Sequence, residues 1–325
     1  MAIYSLYAST EGHSQYSINI VTNSVRYLTN FLTSHGASTD AREISHLQIR
    51  AFILYLKDRP CFENHPFTPP QPRGLSGHTI NTYLRSICGF FSWMKSEDII
   101  DSSPFDKLKV PAPPKKVITP FSQTQIRDLL AVIDTSSSVG FRNYTMILVF
   151  LDSGIRLSEL INLKLSNVSM EEGLIKVLGK GNRERIVPIG KQVQHQLWRY
   201  ISRYRPEPEM PRCDLVFLTE DGRPITKDRL DMIMSKYGRE AGLSGVRCSP
   251  HTLRHTAAVN FLRNGGDVFS LQRMLGHSSL EMTRHYCQIS DVDVKKAHNT
   301  ASPVDNLGLR PNNNRSHTRR YRQPR

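Results

Sequence analysis

The 325-residue sequence predicts a mainly α-helical protein of two domains, with a small antiparallel β-sheet in the second. Three observations carry that prediction. Apolar residues recur at three- and four-residue steps through most of the chain, the signature of helices with one buried face. A proline-rich basic segment, Lys109-Val-Pro-Ala-Pro-Pro-Lys-Lys-Val117, interrupts the periodic pattern and has neither a helical nor a strand period. Only one pair of β-prone runs stands out, on either side of Gly179-Lys-Gly-Asn182.

Taken in order, Ile18, Val21, Val25, Leu28 and Leu32 predict a helix over 16–32, with Gly36 as its stop. Leu47, Ile49, Phe52, Ile53 and Leu56 predict a second helix. The proline-rich stretch 62–74 reads as an irregular loop. A third helix, 76–95, carries Ile80, Leu84, Ile87, Phe91 and Met94 on one side. Three or four such helices make a bundle of about a hundred residues, here residues 1–108. Residues 109–119 form a semi-rigid linker, or else a surface loop within one domain.

The second domain is expected over residues 120–300. Ser122 caps a helix running through Ile126, Leu129 and Leu130. The apolar run 144–151 reads as a buried helix. The segment 173–188 reads as a hairpin, because glycine and asparagine tolerate the positive φ of a tight turn. Further helices are expected over 193–204, 229–241, 252–264, 268–275 and 280–288. Residues 301–325 carry six arginines against one aspartate and no apolar period, so a disordered basic tail is expected. Such a tail is either simply solvated or in contact with nucleic-acid phosphates.

Composition narrows the function. Hydrophobic residues make up 38% and charged residues 22%, normal for a globular protein, but 43 Lys+Arg against 29 Asp+Glu give a net charge of +14. Such an excess favours a polyanionic partner, nucleic acid before anionic membrane. No stretch approaches the ~20 apolar residues that span a bilayer, and the first residues lack a signal-peptide pattern. The five cysteines are widely spaced with no CxxC pair, which argues against a disulfide framework or a structural zinc site. A reduced, cytoplasmic protein without membrane attachment is expected.

Four scattered segments carry candidate chemistry: 152–160 with Arg156 and Glu159, 179–185 with Lys180, 250–255 with His251 and Arg254, and 275–286 with His277 and Tyr286. Each is ordinary alone; a lysine in a glycine turn is usually solvated. Together they supply cations, proton carriers and one nucleophile, the set that phosphoryl transfer on a nucleic acid requires. Charge builds on the non-bridging oxygens in the transition state, and guanidinium forks match that geometry. A phenol can attack phosphorus if its proton has an acceptor, and a lysine can protonate the leaving oxygen. A metal site is the competing reading, since His251 and His255 stand at i,i+4 with His277 and His285 following. It is disfavoured because Thr-Leu-Arg lies between the first two, with no glutamate base and with Arg254 repelling a divalent ion.

At these residues the sequence resembles the tyrosine recombinases, the lambda-integrase family, in their two-domain Xer-like form. That family's arginine segment is matched by Ser153-Gly-Ile-Arg156 with Glu159 and Leu160, its hairpin lysine by Lys180, and its H-x-x-R box by His251 and Arg254. Its LGH segment is matched by Leu275-Gly-His277, and its nucleophile, nine residues further on, by Tyr286. The resemblance spans roughly residues 12–300. It implies an N-terminal helical core-binding domain, a tyrosine-recombinase catalytic domain, and a clamp on DNA.

The same resemblance implies the roles. Tyr286 forms a 3′-phosphotyrosyl bond, Arg156 and Arg254 hold the phosphate, Lys180 protonates the 5′-oxygen, His251 shuttles the phenol proton and His277 donates to a phosphate oxygen. Glu159 supports the arginines, whereas His255 and His285 are structural or face DNA. Base-reading is expected from His78, Asn81 and Arg85 and from the region of Arg223 and Arg229. The expected partner is a double-stranded DNA recombination site, bound by a homotetramer assembled from monomers in solution, with residues 291–299 docking into a neighbouring protomer. No cofactor, metal or ATP is implied. Two alternatives stay open: a type IB topoisomerase with the same chemistry but no defined site, and a DNA-binding regulator that does not cut, which would have no need of all six groups. A transposon, prophage, integron or chromosome-dimer role is equally compatible.

Overall fold

The computed structural model describes residues 1–61, 69–110, 118–179, 183–277, 279, 283 and 286. The chain divides into two compact units, Met1–Lys116 and Val117–Arg325, each with its own core.

The first unit is helical. It contains α1 (Ala2–Thr10), α2 (Gln15–Ser34), α3 (His46–Asp58) and α4 (Gly77–Ser96). Ser14, Ser45 and Ser76 each accept a hydrogen bond from the backbone N–H three residues on, which satisfies a donor the helix start would otherwise leave open. The expected periodicities are borne out: Ile18, Leu28 and Leu32 of α2, Ile49, Phe52 and Leu56 of α3, and Leu84, Ile87 and Phe91 of α4 form the core. Each large apolar side chain so buried contributes about 1.5–3 kcal/mol before entropy is counted.

Some expectations are corrected. Leu47 lies in the first turn of α3 and is 64% exposed. The stretch read as a loop contains a short antiparallel ribbon, β1 (Pro60–Cys61) with β2 (Gln71–Gly74). Strands this short and proline-bearing have no alternation to read. Helix α1 was not foreseen. Only Tyr4 and Ala8 of it are buried, while Ile3 and Leu6 face out, so its periodic signal is weak.

The second unit begins with α5 (Gln123–Ala131), capped by Ser122 as expected, with Gln125 reaching back to the Ser122 N–H. Next come α6 (Ser138–Ser153), α7 (Leu157–Ile161), the strands β3 (Val168–Ser169), β4 (Leu174–Leu178) and β5 (Glu184–Pro188), and α8 (Lys191–Arg199). The order is completed by α9 (Lys227–Glu240), α10 (Pro250–Arg263) and α11 (Val268–Leu275). Strands β3, β4 and β5 form one antiparallel sheet in that order, with Val177 opposite Arg185 and Ile175 opposite Val187. The hairpin is therefore present and gains a third strand. One face of β4 (Ile175, Val177) joins the core with Val187 of β5. Helix α10 packs against α6, with Leu253, Ala257 and Ala258 turned inward. The fold is mainly helical with small antiparallel sheets, as predicted. Most of the expected helix 280–288, the segment 291–299 and the tail 301–325 lie outside the described residues.

Candidate phosphate site

Two backbone reversals bring the site together. Helix α6 ends on Gly154 at φ +60°, where a Cβ would stand 2.9 Å from Leu275 Cδ2 and 3.5 Å from Ala257 Cβ. A side chain there would push away both α10 and α11. Helix α11 ends in the same way on Gly276 at φ +64°. The first reversal places Arg156 at the start of α7, and the second delivers His277.

Arg156 and Glu159 form a local unit. The carboxylate accepts the Arg156 backbone N–H at 2.6 Å and Arg156 Nη1 at 2.8 Å, while Nη2 reaches the Gly276 carbonyl at 3.1 Å. Glu159 is 4% exposed. Burial alone would raise its carboxyl, but bonds from Arg185 and Arg156 outweigh that effect and hold it down to about 2. It therefore stays ionised throughout the physiological range.

Arg254 is 7% exposed and donates to the Gly154 carbonyl through Nη1 and to the Leu275 carbonyl through Nη2 at 2.8 Å. Among the described residues no carboxylate lies within ion-pair distance of it. Burial, followed by the like charge of Arg156, lowers it to about 10. A cation held this way is poorly compensated inside the protein and favours an anion beside it.

His277 Nε2 lies 3.3 Å from Arg254 Nη2, and Nδ1 lies 3.1 Å from Thr283 Oγ1. A guanidinium only donates, so Nε2 accepts here and the ring proton sits on Nδ1. Burial and then Arg254, Arg156 and Arg185 lower His277 to about 4, so the imidazole is neutral near pH 7.

The Tyr286 ring packs against His255 (centroids 5.1 Å apart) and His277 (6.0 Å), and Tyr286 joins the edge of the second core. Burial pushes its phenol above the ordinary value, against the pull of Arg254 and Arg156. The phenol is thus neutral at rest and needs a proton acceptor to attack.

Arg156, Glu159, Arg254, His277 and Tyr286 come together around one point. His251, in the first turn of α10, is exposed, while Lys180 lies outside the described residues. Two residues with no assigned chemistry belong to the cluster. His255 is 4% exposed and lies against the Tyr286 ring, so of its two readings the structural one fits and the DNA-facing one does not. Arg185 grips both Glu159 oxygens. Its signal was the strand alternation, which puts Arg185 on the same face as buried Val187 while Ile186 is 62% exposed.

The expected base readers lie apart from this cluster. His78 and Arg85 share the exposed face of α4, and Asn81 beside them is half-buried. Arg229 is exposed at the start of α9. Arg223 already has a partner, forking onto Glu209 at 2.6 and 2.8 Å. Among the described residues no group of three or more His, Cys, Asp or Glu could hold a metal ion, and no helix is long and apolar enough to cross a membrane.

The site makes stability depend on acid. His277 has a folded-state value near 4 against an ordinary 6.5, and Glu159 one near 2 against 4.5. In both cases the unfolded chain binds more protons as pH falls. The His277 contribution is therefore complete above pH 6.5 and declines toward pH 4, and the Glu159 contribution declines from 4.5 through 2. Discounted for the half-exposure of His277, its share is about 1–2 kcal/mol. Denaturant titrations at pH 7 and pH 4 should show that loss in the parent chain and less of it in His277→Gln; equal losses in both would remove His277 as the source.

Comparison with known proteins yields relatives by sequence and by fold. Residues 120–292 match the profile of the phage integrase family. The tyrosine recombinase XerD of Oceanobacillus iheyensis is 30% identical over 292 residues, which covers 88% of this chain and 93% of that protein. XerC of Chlamydia pneumoniae is 33% identical over 276 residues, covering 82% and 83%. Among solved structures, a Tn1549 transposon integrase fragment in complex with transposon right end DNA has a TM-score of 0.70 at 20% identity, covering 94% of this chain and 98% of that one. A lambda integrase dimer bound to a COC′ core site has a TM-score of 0.68 at 14% identity, covering 88% and 93%. At these identities the two structures speak to the fold.

Proposed function

The chain belongs to the phage integrase family of tyrosine recombinases, and from that premise we propose that it breaks and rejoins DNA at a defined site through a phosphotyrosine. The observation that carries this reading is Arg254, a buried cation bonded to two carbonyls and an imidazole, within electrostatic reach of a half-buried phenol.

Tyr286 Oη attacks the scissile phosphorus, and the P–O5′ bond breaks. A 3′-phosphotyrosyl bond replaces it, and a 5′-hydroxyl is freed once Lys180 has given the leaving oxygen a proton. His251 takes the phenol proton. Arg156 and Arg254 bind the non-bridging oxygens. His277 donates to one of them once the arriving phosphate favours a proton on Nε2, reversing the arrangement of the DNA-free site. Rejoining is the same sequence run backward with a new 5′-hydroxyl. Each phosphotyrosyl bond conserves the energy of the phosphodiester it replaces, so neither ATP nor a metal is needed.

Residues 1–108 serve as the core-binding domain, 109–119 as the linker and 120–300 as the catalytic domain. His78, Asn81, Arg85, Arg223 and Arg229 contact DNA, for which Arg223 must leave Glu209. Two sites and four protomers make up the recombining complex, assembled in the cytoplasm.

The test is to incubate the protein with sheared DNA of its source genome in EDTA, stop with SDS, and sequence what stays attached. Attachment through 3′-phosphoryl ends that share one sequence is the expected result. Fragments without a shared sequence would turn the assignment toward a topoisomerase, and no attached DNA toward a non-cutting regulator.

A further inference from the structure

Among the described residues the site holds three guanidiniums and one carboxylate, and their side chains share the carboxylate unequally. Arg185, 13% exposed at its side chain, donates from Nη1 and Nη2 to the two Glu159 oxygens at 2.6 and 2.8 Å. Its Nε donates to the Met274 carbonyl at 2.9 Å. The Arg156 side chain, 31% exposed, offers Glu159 only Nη1, at 2.8 Å, beside the backbone N–H that the same carboxylate accepts. The backbone after α11 lies against the Arg185 guanidinium so closely that a Cβ on Gly276 would meet its Cδ, Nε and Cζ at 3.0, 3.1 and 3.2 Å. Arg185 therefore ties β5 to the start of α7 and to the segment that delivers His277.

A buried carboxylate draws the nearest cation onto itself. With Arg185 in place Glu159 is already matched by a two-bond fork, and one guanidinium charge beyond it remains on Arg156. Without Arg185 the same carboxylate would claim Arg156 outright. We propose that Arg185 is a positioning residue for strand cleavage, neutralising Glu159 so that the charge of Arg156, whose guanidinium touches that carboxylate through Nη1 alone, stays available to the scissile phosphate. This rests on the recombinase reading of the site above.

The experiment compares the rate of SDS-resistant adduct formation on sheared source-genome DNA for the parent chain and three variants. R185Q is expected to slow it by about 30–100-fold, on the scale of losing one aligned donor. R185Q/E159Q should be about tenfold faster than R185Q, because the carboxylate that captures Arg156 is gone. R185K keeps a positive charge beside Glu159 but loses the fork and the Met274 bond, and it stays informative if R185Q folds poorly. Because it still neutralises the carboxylate, it should be at least about fivefold faster than R185Q. A merely structural Arg185 makes the double variant no faster than R185Q, and that result overturns the proposal; so does R185K as slow as R185Q. A parent chain that forms no adduct at all defeats the recombinase reading, and this proposal with it.

Discussion

Tyr286→Phe is expected to reduce the covalent protein–DNA adduct by at least about 10⁴-fold, because the proposed reaction forms its covalent bond through the phenol oxygen. The change removes one atom and keeps the ring that packs on His255 and His277. Stability should therefore shift by no more than about 1 kcal/mol. DNA affinity should change less than about twofold, because backbone phosphate contacts spread along the duplex dominate it. The paired measurement is an SDS-stable adduct assay in EDTA beside a gel-shift titration at one fixed salt concentration. An undiminished adduct would move the nucleophile elsewhere. Loss of adduct together with loss of binding would mean that the variant had lost its fold rather than its chemistry.

The second large effect concerns Arg254→Lys. Arg254 spans two carbonyls, Gly154 on the turn after α6 and Leu275 at the end of α11, while Nη2 also lies beside His277. A lysine has one compact ammonium and no rigid fork, so it cannot bridge both carbonyls and still face a phosphate. Cleavage should slow by about 10²–10³-fold, or ~3–4 kcal/mol of transition-state stabilisation. Folding stability should fall by less, about 1–3 kcal/mol for a carbonyl left without its donor, partly offset because an ammonium replaces a cation that was already costly to bury. Single-turnover cleavage and a denaturant midpoint measured on one preparation separate the two effects. Cleavage within threefold of the parent would deny Arg254 a part in the reaction.

Both effects follow from one arrangement, in which a cation is buried with carbonyls instead of a carboxylate. Burial disfavours the charge on Arg254, and in the proposed reaction an arriving phosphate would compensate it. Were Arg254 paired with an acid, as Arg223 is with Glu209, the phosphate would have to displace a partner first.

Much of this was legible in the chain itself. The helices over 15–34, 77–96 and 123–131 announce themselves by apolar residues every three or four positions and by a serine just before each start. The hairpin shows in its glycines and asparagine. The ordered run of Arg156, Lys180, His251, Arg254, His277 and Tyr286 is visible because those residue types sit in short, recognisable surroundings.

Local pattern could not show who meets whom. Glu159 reads as a support for the arginines of the motif, yet two of its four bonds come from Arg185, 26 positions on and outside that motif. His255 reads equally as structural or DNA-facing, and only the fold turns it inward onto a ring from another segment. Periodicity reports which face of an element is apolar; it does not report which distant face packs on it. The chain by itself determined its helices, its one hairpin and the chemical kinds of group available for phosphate transfer, because each depends on residues within a turn or two of one another. Only the folded arrangement decided that one buried carboxylate would join two arginines and that Arg254 would have no acid partner among the described residues, because those outcomes depend on segments up to 121 residues apart, Gly154 to Leu275, brought together by the packing of the core.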